Sequence, residues 1–216
     1  MATVINPPGH AAQQVVLHNI SWETYERLLV EHVGCQSPRF AYDRGELEIM
    51  VLSFEHEQFN RLLADVFTAI AVEMNLDFTN AGSTTFTRED LARGFEPDTC
   101  FYIQHAERVM GKKRLDLSVD PPPDLVIEID ITSPSLNKLP IYAAVGVPEV
   151  WRFDGRRVII LTLTGDAYTE REDSVVMPHV TSSQLTGFLE TSQRLPRAAW
   201  LRSVRDWAQN LRAGNG

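Results

Sequence analysis

The run from Pro121 to Lys138, PPPDLVIEIDITSPSLNK, constrains this chain more than any other stretch. Three successive prolines end whatever precedes them, and Leu125 to Ile131 then reads as a strand rich in β-branched residues, apolar enough for the middle of a sheet. Two acids interrupt it. Side chains alternate faces along a strand, so Glu128 and Asp130 point one way while Ile127, Ile129 and Ile131 point the other. Neighbouring carboxylates in apolar surroundings repel each other and lose hydration, which calls for a cation, and a divalent metal ion answers both with one partner. The alternative is that the acids are solvated where the strand leaves the sheet.

The remainder of the chain has to supply a core around that strand. With 44% hydrophobic residues in 216, there is material for one sizeable domain, read here as residues 21–190, with an N-terminal arm over 1–20 and a helical extension over 191–216. No run approaches the roughly 20 apolar residues of a membrane span, and Pro7, Pro8 and Gly9 do not fit a signal peptide, so no membrane partner and a cytoplasmic location are expected. Cys35 and Cys100 stand outside any Cys-x-x-Cys pattern, which points to neither a zinc site nor a disulfide framework. A formal charge of −9 argues against a generic nucleic-acid binder, yet it is compatible with an enzyme that reaches phosphates through metal ions. The basic clusters Lys112 to Arg114, Arg152 with Arg156 and Arg157, and the C-terminal arginines read as solvated faces.

Periodicity orders the elements. Ser21 caps a helix reaching about Val33; Arg39 to Tyr42 and Glu46 to Leu52 form a hairpin across Asp43-Arg44-Gly45; Ser53 caps a long helix with an apolar stripe from Phe59 to Met74. His56 and Glu55, in the first turn of that helix, read first as ordinary helix-start residues and second as groups delivered into a site. Phe95 to Ile103 reads as one strand with Asp98 near its start, followed by an amphipathic segment over 106–117. After Lys138 come a short helix ended by Gly146, a hairpin turning at Asp154-Gly155, a further strand over 167–170, and helices near 183–189 and 198–211.

Asp98 and Glu128 thus fall on separate strands, with Asp130 beside the second and Lys138 just beyond. Two strand acids and a lysine suit metal-dependent phosphodiester hydrolysis, in which acids hold Mg²⁺ or Mn²⁺ and an ammonium steadies transition-state charge.

The ordered set Gly45-Glu46-Leu47-Glu48-Ile49-Met50, His56, Glu96-Pro97-Asp98, Pro123 to Glu128, Ser133-Pro134-Ser135, Lys138 with Tyr142, and Gly146 to Trp151 resembles the Uma-type family of putative restriction endonucleases, within the PD-(D/E)XK nuclease superfamily. The resemblance covers about residues 20–190. It implies an α/β, restriction-endonuclease-like fold with a mixed central sheet flanked by helices. It also implies Asp98 and Glu128 as metal ligands with the Ile129 carbonyl as a third; catalytic duty is expected of Asp98, Glu128, Asp130, Lys138 and His56. One departure stands out: the superfamily lysine two places after the second acid is Asp130 here, so that either Lys138 reaches back or the site is all-acid. The reading that follows is a Mg²⁺-dependent DNA endonuclease acting as a homodimer. Its rival is a catalytically inactive nuclease-like scaffold that binds nucleic acid or a protein partner.

Overall fold

Strand periodicity and helix stripes assemble into two sheets with helices against them, a mixed α/β architecture seen in a computed structural model that describes residues 13–35, 37–131 and 136–214. The Ser133-Pro134-Ser135 motif lies outside the described residues, as do the first twelve residues of the expected arm. The first sheet is antiparallel, in the order β1 (Gln13–Leu17), β3 (Glu46–Val51), β2 (Arg39–Asp43), β6 (Arg93–Phe95), β5 (Phe86–Arg88). The second runs β11 (Ala167–Arg171), β10 (Val158–Thr164), β9 (Glu149–Phe153), β8 (Leu125–Ile129), β7 (Thr99–Tyr102), β4 (Thr79–Gly82). It is mixed because β8 and β9 are parallel, joined through helix α4 (Leu139–Val145).

Alternation along β8 and β9 divides the second sheet into two faces. Leu125, Ile127, Ile129, Trp151 and Phe153 pack against α2 (Phe54–Glu73), α5 (Ser182–Ser192) and α6 (Arg197–Gly214) in the largest core. Val126 and Val150 face the other way, where Ile141 and Tyr142 of α4 cover them. The first sheet has a smaller core of its own, with Tyr25 of α1 (Trp22–Glu31) stacked on Tyr42 at 5.0 Å between ring centres. Gly94 permits that stack: a Cβ there would lie 2.2 Å from the Tyr25 hydroxyl. The Ser21 and Ser53 caps form as the sequence suggests, each accepting a backbone N–H three residues on.

Two expectations change. Residues 13–17 of the arm are not loose: β1 pairs with β3 from Gln13↔Val51 to Leu17↔Leu47. The single strand expected over 95–103 is two strands in different sheets, parted at Glu96-Pro97-Asp98. Pro97 has no N–H for a ladder, and the Glu96 carboxylate instead accepts Phe40 N–H at 3.1 Å and the Thr85 hydroxyl at 2.5 Å. Within the amphipathic segment over 106–117, Ala106–Val109 (α3) is helical, and past it Asp116 and Asp120 turn the backbone by accepting local N–H groups.

Candidate active site at the junction of the two sheets

The break at Pro97 sets Asp98 at the seam, immediately before β7. The β7–β8 register runs Thr99↔Ile127, so one further step brings Asp98 opposite Glu128. Asp98 Oδ2 accepts the Ile129 N–H at 2.8 Å, Oδ1 accepts Arg39 Nη1 from β2 at 2.9 Å, and His56 Nε2 from the first turn of α2 lies 3.1 Å from Oδ2. The backbone carbonyl of Asp98 takes Asn60 Nδ2 at 3.1 Å. Burial of this carboxyl pushes its pKa up, but the His56 contact and the charges of Lys138 and Arg39 outweigh it and hold the group below the usual carboxylate range.

Glu128 has different company. Lys138 Nζ donates to Oε2 at 2.8 Å and the Tyr142 hydroxyl donates to Oε1. Lys138 immediately precedes α4 and Tyr142 follows it by one helical turn, so the two side chains reach the same carboxylate. Burial raises the Glu128 carboxyl above its ordinary range; the Lys138 charge opposes that shift and the Asp98 charge adds to it. Lys138 is the converse: burial alone would weaken its charge, yet Glu128 and Asp98 hold the ammonium above its ordinary range.

Glu128 opens on a cavity of about 210 Å³ between the sheets. Asp130, Lys138 and Ile129 also line it, as do Glu48 from β3 and Arg152 from β9. Asp130 sits past the end of β8, its N–H bonded to Phe153 O at 2.7 Å. Burial raises its carboxyl, against the opposing charges of Arg152 and Lys138. Asp98 and His56 form the layer behind, fully buried, and Glu55 is exposed. The structure therefore brings Asp98, Glu128, Asp130, Ile129, Lys138 and His56 to one locality, four on the cavity wall and two beneath it.

Four members of this locality were outside the sequence-based site: Arg39, Glu48, Tyr142 and Arg152. Glu48 lies between Leu47 and Ile49, and Arg152 between Trp151 and Phe153. A charge set into an apolar strand is the same signal that singled out Glu128. Arg152, expected on a solvated face, is half-buried.

The donor set suits a hard divalent ion in kind. The carboxylates of Asp98, just before β7, and Glu128, on β8, influence each other's ionisation, and Mg²⁺ characteristically takes one or two carboxylates and completes its shell with water and substrate phosphate. Among the described residues no group of three or more His, Cys, Asp or Glu side chains is gathered for metal binding, so these two acids would need the Ile129 carbonyl or outside ligands to hold one.

The family model for Uma2, described as "Putative restriction endonuclease", matches residues 22–196. The crystal structure of a "putative nuclease belonging to DUF820" from Anabaena variabilis ATCC 29413 superposes with a TM-score of 0.52 at 14% identity, covering 84% of this chain and 99% of that one. At that identity the likeness is one of fold. No curated protein matches the sequence. Among the described residues no helix is long and apolar enough to cross a membrane.

Proposed function

This chain belongs to the Uma2 family of putative restriction endonucleases, and from that membership we propose a divalent-metal-dependent endonuclease that hydrolyses phosphodiester bonds of DNA. It acts in the cytoplasm as a homodimer, since cutting both strands of a duplex needs two sites and closed twofold symmetry supplies them. One observation carries the reading: a buried acid just before β7 and a half-buried acid on β8 sense each other's charge, and the one that opens on a cavity holds a half-buried ammonium at 2.8 Å.

A Mg²⁺ or Mn²⁺ ion held by Asp98, Glu128 and the Ile129 carbonyl would supply Lewis acidity at the scissile phosphate. The remaining work falls to the side chains. Lys138 stays charged, which makes it unsuited to take a proton; it orients water and offsets negative charge as the phosphate is attacked. Tyr142 fixes the second oxygen of Glu128. Arg39 and His56 keep Asp98 ionised in its dry setting, and so act as positioning residues. Asp130 stands where the superfamily has its lysine and raises the negative potential of the cavity mouth.

Supercoiled plasmid with Mg²⁺ or Mn²⁺ tests the reading. Wild type should nick it, whereas Asp98→Asn and Glu128→Gln should not. Absence of divalent-dependent cleavage of any DNA or RNA form by wild type would end it. A second reading has an observation in its favour: every oxygen of the Asp98 and Glu128 carboxylates already has a protein partner, as in a self-sufficient scaffold. Calorimetric titration with Mn²⁺ separates the two, because binding lost in Glu128→Gln supports the enzyme and no binding in wild type supports the scaffold.

A further inference from the structure

We propose that Arg152 is the phosphate-binding residue of this cavity, its guanidinium receiving a backbone phosphate of the strand held against Glu128. The inference rests on the nuclease reading and names the substrate contact within it.

Register places the residue. In the parallel β8–β9 ladder Glu128 pairs with Arg152, so acid and arginine stand side by side on the same face. Trp151 and Phe153 on either side turn into the core, which leaves Arg152 directed with Val150 toward the cavity. Partners set it apart from the other cations. Arg39 is spent on Asp98 and Lys138 on Glu128, each in an ion pair below 3 Å. Arg152 forms no ion pair or hydrogen bond among the described residues, and its Nε is buried without a partner. Asp130 and Asp154 feel its charge, but neither is bonded to it.

A buried donor left unmade is costly, so its retention in a wall beside the acids points to a ligand that completes it. The chemistry of that ligand follows from the wall. Glu48, Glu128 and Asp130 repel any phosphate that approaches, so a strand can enter only where a cation offsets them. A guanidinium does so with a planar fork matched to two phosphate oxygens, whereas an ammonium offers a point charge.

Fluorescence anisotropy of a fluorescein-labelled duplex of about 20 base pairs, with the full chain in EDTA over a salt series, tests this. Arg152→Ala should weaken binding about tenfold and lower the slope of log K against log salt by about 0.9, the signature of one lost phosphate contact. Arg152→Lys should keep the slope and recover only part of the affinity. A lost structural prop would lower the melting temperature and leave the slope unchanged; should the alanine variant not fold, the slope of Arg152→Gln decides. An unchanged slope in the charge-removing variants, or no salt-dependent binding by wild type, overturns the proposal. Plasmid nicking run in parallel keeps the two claims apart. Wild-type nicking with an unchanged slope removes Arg152 alone, and a changed slope without wild-type nicking removes the nuclease alone.

Discussion

Glu128 and Glu149 are both glutamates withdrawn from water on adjoining strands of one sheet, and burial raises the carboxyl pKa of each. They differ in what surrounds them. Glu149, on the core face of β9, accepts Trp151 Nε1–H at 2.6 Å, the Ser174 hydroxyl at 2.6 Å and the Val175 N–H at 2.7 Å. All three donors are neutral, and Ser174 and Val175 tie the segment after β11 to the sheet. Glu128, on the opposite face, has an ammonium, a phenol, a second acid nearby and a cavity in front of it. A perturbed carboxyl is therefore not in itself a mark of chemistry. Access and mobile charge separate the two, and both can be challenged by substitution.

The largest contrast should come from the conservative amides. Glu128→Gln is expected to reduce divalent-dependent nicking about a thousandfold. Glu149→Gln should leave the rate per folded molecule within about twofold, and plasmid assays normalised to folded protein would read both. Equal losses would mean that Glu128 and Glu149 do the same work. Next in size is Glu149→Ala, which strands two buried donors and a part-buried one and should cost about 3 kcal/mol in urea unfolding, with cleavage retained in the folded fraction. Lys138→Met should then slow cleavage about a hundredfold, a loss of about 2.7 kcal/mol of transition-state stabilisation.

The pH profile of stability sharpens the comparison with the smallest effect. The folded-state pKa of Glu149 lies above its ordinary value, so its contribution to stability is complete below about pH 4.5, the ordinary glutamate range, and is lost as pH rises through the raised value. Glu149→Gln removes that titration. Its stability relative to wild type should grow from mildly acidic pH upward, measured by urea midpoints across the range. Asp98 has the opposite sign: its depressed pKa adds stability that disappears as pH falls through it.

Much of the scaffold could be read from local signals. Serine caps, apolar stripes and tight turns announce α1, α2 and the two hairpins, because those features are decided by residues a few positions apart. Asp98 and Glu128 were legible as strand acids for the same reason. Their pairing needs the β7–β8 register, and that depends on contacts thirty positions apart in sequence. The division of 95–103 between two sheets was not legible, since an apolar run says how deep a strand lies and nothing about which sheet takes it. Arg39 and Glu48 come from the paired strands of one hairpin and Arg152 from a strand of the other sheet, each visible as a charge among apolar neighbours. What the sequence could not express is that they converge, for convergence belongs to the packing of one sheet on another.

The short link Glu96-Pro97-Asp98 has a practical corollary. Each of its residues is fastened to β2: Glu96 to the Phe40 N–H, the Pro97 carbonyl and the Asp98 carboxylate to Arg39. It works as a rivet with no slack, so a designer wishing to lengthen a loop or graft an epitope would find room at surface turns such as Gly165-Asp166 and none here. One added residue would slide Asp98 out of step with Glu128 and uncouple the halves of the molecule in a single stroke.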